Sequence, residues 1–210
     1  MFEKDIILVG GGGHCKSVID VAENAGYKII GILDVKENLG KMVLGYPIID
    51  IDDNICNWVD KAYFIVTVGQ IKNNILRENL HQKIQSSGGK LITLIASDSH
   101  VSKHAIIEEG SVIMHKAVIN ANAHIGKGCI INTFANIEHD TYIGDFCHIS
   151  TGAMINGNCN VGNSTFIGSG AIISNGVSVA QNCIIAAGSV VRKTLGKSGI
   201  YAGNPAIKYK

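Results

Sequence analysis

The side chains best suited to chemistry stand in one short run, Ile137-Glu138-His139-Asp140. An imidazole flanked by carboxylates is a proton-transfer arrangement. One acid group can fix one ring nitrogen and raise the basicity of the ring, leaving the other nitrogen to take a proton. His148 stands nine residues later. Of the histidines at 14, 81, 100, 104, 115 and 124, only His100 and His104 stand four apart, and no His/Cys cluster with ligand spacing accompanies them, so no metal centre is expected. The six cysteines contain no C-x-x-C pair and read as structural thiols.

A second signal lies near the start. The apolar run Asp5-Ile6-Ile7-Leu8-Val9 is followed by Gly10-Gly11-Gly12-Gly13-His14. Val18, Ile19, Val21, Ala22 and Ala25 then give a helical apolar face ending at Gly26, and Lys28–Leu33 forms a second strand closing on Asp34. A strand, glycine loop, helix, strand and acid in this order can place a phosphate group at a helix N-terminus. The full dinucleotide fingerprint is not met, because Cys15 occupies the position of its last glycine. A purely structural glycine turn without a ligand stays open as the alternative. Tyr63–Gly69 reads as a third strand, residues 71–86 as a helix, and Leu91–Ile95 as the lead into the second half of the chain.

Both His139 and His148 sit inside a strict six-residue repeat. From Val101 to Val191, all sixteen positions taken in steps of six are Ile or Val. The fifth position of each hexad is nearly as uniform: Ala, Ser, Thr or Val, with Cys129, Cys147, Cys159 and Cys183 in the same column. An amphipathic helix repeats at 3.6 and a strand at 2, so neither gives a period of six. A coil of flat faces does: each hexad supplies a short strand and a turn, with the branched residue inward and the small one under the corner. Gly and Asn (Gly126, Gly144, Asn156, Gly162, Gly168, Asn175) are expected at corners with unusual φ. The expected fold is therefore a Rossmann-like α/β domain over residues 1–96, followed over 97–210 by a parallel β-helix with a C-terminal tail.

Composition sets the outer limits. Lys plus Arg number 18 against 17 Asp plus Glu over 210 residues, so no field recruits nucleic acid or an anionic membrane. No apolar stretch approaches the roughly 20 residues of a membrane span. The opening residues do not resemble a signal peptide, and a reducing cytoplasm is the expected compartment.

The hexads, of which Ile125-Gly126-Lys127-Gly128-Cys129-Ile130 and Ile143-Gly144-Asp145-Phe146-Cys147-His148 are good examples, resemble those of the hexapeptide-repeat acyltransferases. With the Gly-His loop, the strand-Asp, Ile-Glu-His-Asp and the closing Gly203-Asn204-Pro205-Ala206, the whole chain is similar to the bacterial sugar O/N-acetyltransferases. These include nucleotide-amino-sugar N-acetyltransferases and sialic acid O-acetyltransferases. The resemblance implies a left-handed β-helix of 18-residue coils, a homotrimer, and acetyl-CoA held in clefts between subunits. It makes His139 the general base, tuned by Asp140, and brings His148 to the thioester region. Gly157, one coil above His139, would offer a bare N–H to the thioester oxygen. Ser169, Ala187 and Gly188 match positions lining the CoA groove. Gly12, Gly13 and His14 fall near the diphosphate or sugar, and Asp34 near the base or ribose. Many relatives carry a second acid after that Asp, where this chain has Val35.

The implied reaction is direct acetyl transfer from acetyl-CoA to the amine of a UDP-, dTDP- or GDP-linked amino sugar, without an acyl-enzyme. O-acetylation of a sugar is the close alternative, and a non-catalytic β-helix binding protein the distant one. Half a coil separates His139 from His148, so the two side chains should leave different faces of the prism. They can share a site only if a neighbouring subunit brings them together.

Overall fold

The computed structural model describes residues 5–209. The N-terminal unit is built from β1 (Asp5–Val9), α1 (Gly13–Asn24), β2 (Lys28–Asp34), β3 (Met42–Val43), β4 (Tyr46–Ile51), β5 (Tyr63–Val66) and α2 (Ile75–Ser86). Its sheet runs β3-β4-β2-β1-β5, with β4, β2, β1 and β5 parallel and β3 folded back as an antiparallel hairpin. Strands β1 and β2 match the sequence reading, as does the Gly-His loop between β1 and α1. The β3–β4 hairpin is an addition: its turn at Leu44-Gly45 uses positive φ at both residues, and Pro47 sits in its outer pair.

Two expected boundaries move. The third strand ends at Val66 rather than Gly69, and the helix starts at Ile75 rather than residue 71. Residues 67–74 leave regular structure because their polar groups are used elsewhere: Thr67 beside the glycine loop, Gln70 and Asn74 against the second half of the chain.

That second half is a three-faced parallel coil. Ile137 pairs with Ile119 below and Ile155 above, and the same step of eighteen recurs around the prism. Six strands stack on one face, five on the second, and eight on the third, where Leu94–Ile95 begins the stack. Nearly every strand is two residues long and ends on the Ile/Val column. From Ile113 to Ile185 that column is buried, and the small fifth-position residues fill the space beneath the turns. Removing one such side chain, as in Ile155→Ala, costs about 2–5 kcal/mol because a rigid ladder cannot collapse into the gap. The four cysteines of the fifth column are buried and free.

The corners correct one expectation. Every fourth position of a hexad from Gly110 to Gly188 has positive φ, whether it is Gly, Asn, Asp, Lys, Phe or Ser. Gly126, Gly144, Gly162 and Gly168 occupy the second position and are not in that conformation. They are glycine because the next coil leaves no room: a Cβ on Gly126 would lie 2.8 Å from the Asp145 backbone nitrogen, and one on Gly168 2.5 Å from that of Ala187. Asn156 and Asn175 likewise lie off the positive-φ column.

The prism thus has three edges. His139 and Gly157 lie on the edge between the six- and five-stranded faces. Gly152, Gly170 and Gly188 lie between the eight- and six-stranded faces. The remaining edge carries Gly110, Gly128, Phe146 and Ser164, and the N-terminal unit docks along it.

Candidate active site

Asp140 owes its place to the corner. At φ +60° it adopts the left-handed conformation that Asp tolerates better than most residues. Its carboxylate then meets the preceding side chain, with His139 Nδ1 and Asp140 Oδ2 2.7 Å apart. The other oxygen accepts the Asn122 side-chain amide at 2.8 Å. These two bonds, Asn122 foremost, hold the Asp140 carboxyl below its ordinary pKa. An ionised carboxylate only accepts, so in the neutral ring Nδ1 carries the hydrogen and Nε2 presents a lone pair. The His139 side chain is 61% exposed, so that lone pair is accessible.

Sequence adjacency could not say which flanking acid would serve His139. Glu138 is taken by two asparagines instead, Asn120 and Asn136, each 3.0 Å from one of its oxygens. One coil above, Gly157 lies against the imidazole: a Cβ there would stand 2.8 Å from His139 Cε1 and Nε2. Glycine at this position keeps the ring in place, a role distinct from the expected contact to a thioester.

His148 lives in the opposite environment. It lies on the eight-stranded face, 8% exposed, with its ring edge-on to Phe166. Nδ1 donates to the Gln70 carbonyl at 2.7 Å, which leaves Nε2 to accept the Asn132 amide at 3.2 Å. Burial lowers its pKa to about 4, against the partial support of that carbonyl. Both ring nitrogens are therefore engaged within the chain. Asn132, one coil below Ser150, was not singled out from sequence; an Asn at a hexad's second position carries no signature of its own.

The glycine loop shapes a cleft of about 290 Å³ lined by Gly10–His14, Asp34, Asn38 and Thr67–Gly69. Gly12 and Gly13 open helix α1 with nothing packed where their side chains would be. Asp34 closes the loop from below: Oδ2 accepts the Gly11 N–H and the Asn38 amide, each at 3.0 Å, and Oδ1 accepts the Val35 N–H at 2.8 Å. His14 forms part of the wall. Its Nε2 is buried without a partner, and burial, with the charge of Arg77 nearby, lowers its pKa to about 3. Cys15, at the place of the missing glycine, is packed in the core instead.

Ser169, Ala187 and Gly188 lie exposed along the edge between the eight- and six-stranded faces, with Ser169 Oγ 2.9 Å from Ser150 Oγ. The expected site residues thus form three groups within one chain. The cleft and His148 lie together, joined through Gln70. His139 with Asp140 and Gly157 occupies a second edge, and Ser169, Ala187 and Gly188 a third.

The fold and these groups define a glycine-loop cleft domain joined to a three-faced coil of six-residue repeats. Residues 5–84 match the PglD N-terminal domain family, and residues 122–157 and 158–193 match the bacterial transferase hexapeptide family of six repeats. A histidine variant of perosamine N-acetyltransferase from Caulobacter crescentus, solved with CoA and GDP-perosamine, is 30% identical with a TM-score of 0.92. The match covers 98% of this chain and 97% of that one. The acetyltransferase domain of PglB from Neisseria gonorrhoeae, in complex with acetyl coenzyme A, is 34% identical with a TM-score of 0.91, over 98% of each chain. The chain belongs to the hexapeptide-repeat sugar acetyltransferases with a PglD-type N-terminal domain, and its coil is the left-handed β-helix of that family. It is an acyltransferase.

Proposed function

We propose that this protein transfers the acetyl group of acetyl-CoA to the amine of a nucleotide-linked amino sugar. The observation that carries this reading is the join between a glycine-loop cleft and a coil bearing a carboxylate-oriented, solvent-facing imidazole. The perosamine N-acetyltransferase in the comparison was solved with CoA and a GDP-linked amino sugar, in keeping with the same pairing of substrates.

In the proposed reaction the diphosphate lies against the amides of Gly12 and Gly13 at the start of α1, where the helix dipole favours anions. Asp34 shapes the loop through its bonds to Gly11 and Asn38, and the Asp34 and Asn38 side chains line the cleft where the base or ribose would lie. His139 Nε2 takes a proton from the sugar amine as nitrogen attacks the thioester carbonyl. The C–S bond then breaks, the proton held by the imidazolium passes to the departing sulfur, and CoA leaves as the thiol, with no acyl-enzyme. Asp140 holds the ring in the productive tautomer, which accounts for its pairing. The edge with Ser169, Ala187 and Gly188 is where acetyl-CoA would lie, with open space above Gly170 and Gly188.

The separation of these groups on different edges supports a homotrimer. One subunit would bring His139 to the cleft and His148 of its neighbour. Exposed Phe134 and Met154, at 64% and 43%, lie next to the strand that leads into His139 and would be covered by such a contact.

The test is free-thiol release from acetyl-CoA with UDP-, dTDP- and GDP-linked 4-amino sugars, followed by hydroxylamine treatment of the product. A hydroxylamine-resistant amide on one nucleotide series is expected. A labile ester would establish O-acetylation instead, and absence of turnover on every amino sugar would overturn the reading.

A further inference from the structure

Arg77 is 1% exposed, and no carboxylate pairs with it among the described residues. Its charge is met entirely by main-chain carbonyls. Nε donates to Gly128 at 2.8 Å, Nη1 to Val66 at 2.7 Å and Val68 at 2.9 Å, and Nη2 reaches toward Gly110 at 3.4 Å. Burial pulls even this guanidinium down to about 10. A planar fork with five N–H groups can serve four carbonyls on two sides; an ammonium at one point cannot.

The two sides are the two halves of the proposed enzyme. Gly110 and Gly128 are corners of successive coils, both with positive φ. Val66 and Val68 flank Thr67, whose hydroxyl donates to the Gly10 carbonyl and whose N–H donates to Val9 at 2.8 Å. Val68 also packs against Gly10, where a Cβ would stand 2.6 Å from its Cγ2. A chain of contacts therefore runs from the coil corners through Arg77 to the loop that forms the cleft. The same edge is gripped twice more, one and two coils up: Gln70 donates to the Phe146 carbonyl and Asn74 to Ser164 Oγ at 2.9 Å. His81 closes the lower end by lying over Gly110 and Gly128 and meeting Phe146 edge-on, ring centroids 5.2 Å apart.

We infer that Arg77 is a positioning residue: it sets the placement of the glycine-loop cleft against the β-helix, and so governs productive use of the nucleotide sugar but not acetyl-CoA binding. The inference rests on the proposed substrate pair for its kinetic readout. Neither Arg77 nor its partner carbonyls lie on the edge assigned to CoA, which is why the two substrates should respond differently.

The experiment compares wild type, Arg77→Lys, and the milder pair Gln70→Ala/Asn74→Ala. It measures kcat, the KM of each substrate, CoA affinity by titration calorimetry, and backbone hydrogen exchange over residues 63–70. For Arg77→Lys the expected result is at least a tenfold fall in kcat/KM for the nucleotide sugar, with CoA affinity within twofold of wild type. Faster exchange at Thr67–Gly69 should accompany it. The double variant should show the same pattern, smaller, and it decides the matter if Arg77→Lys does not fold. Unchanged sugar kinetics in a folded variant would overturn the inference, as would equal losses for both substrates. If wild type fails to acetylate any amino sugar, the function reading fails alone. Exchange over 63–70, with CoA affinity held, still decides the role of Arg77.

Discussion

His139 and His148 stand half a coil apart on one repeat, yet the fold gives them opposite chemistry. His139 is on an open corner, bonded to an ionised carboxylate, with one nitrogen free. His148 is walled in between a carbonyl and an amide, and its burial is shared by His14 and His81 along the docked side of the molecule. The lesson is that a hexad fixes where a side chain leaves the prism, while the neighbour packed outside decides whether it can move a proton. An open corner and a buried strip result from the same repeat.

The sharpest way to break this contrast is His139→Ala. Loss of a general base should lower kcat by about 10²–10⁴-fold, with acetyl-CoA KM near wild type, in steady-state thiol release. Gly157→Ala comes next. Its methyl would press on the ring at 2.8 Å, so kcat should fall on the order of a hundredfold, as misplacement of a catalytic group costs, while melting temperature changes little. Asp140→Asn is milder. Asn also tolerates the left-handed corner, so the fold should persist while control of the tautomer weakens, with a loss of about tenfold in kcat.

The buried strip predicts a different response, in stability. His14 and His81 fall to about 3 and His148 to about 4, all chiefly from burial, against 6.5 for a free imidazole. The unfolded chain then binds more protons than the folded one between those values and 6.5. Stability should be complete above pH 6.5 and decline as pH falls toward 4, seen as a falling melting temperature. His81→Phe removes one such group and should flatten that decline; an unchanged pH slope would contradict the buried, neutral assignment of His81.

How far this could be read from sequence differs by region in the same way. The β-helix was legible because a period of six leaves few alternatives, and every Ile/Val position took its expected place in the ladder. The positive-φ column was not, since Lys116, Phe134 and Asp140 hold it as well as Gly110 does. The glycines that looked like corners are steric gaps instead. The choice of Asp140 over Glu138 for His139 depended on that same corner conformation. Arg77, Gln70 and Asn74 left no trace, because the oxygens they bind on the coil are main-chain or hydroxyl groups 33 to 90 residues away and so require no complementary residue type.

The most direct test of the whole account is subunit complementation. His139→Ala and Asp34→Ala variants, each impaired alone, are co-expressed with different tags and the mixed oligomer is purified. If one subunit supplies His139 and its neighbour the cleft, each mixed trimer has one of its three shared sites intact in both parts, and turnover should return to roughly a third of wild type. Activity no greater than the average of the two parent variants would contradict a site shared between the open corner and the buried strip.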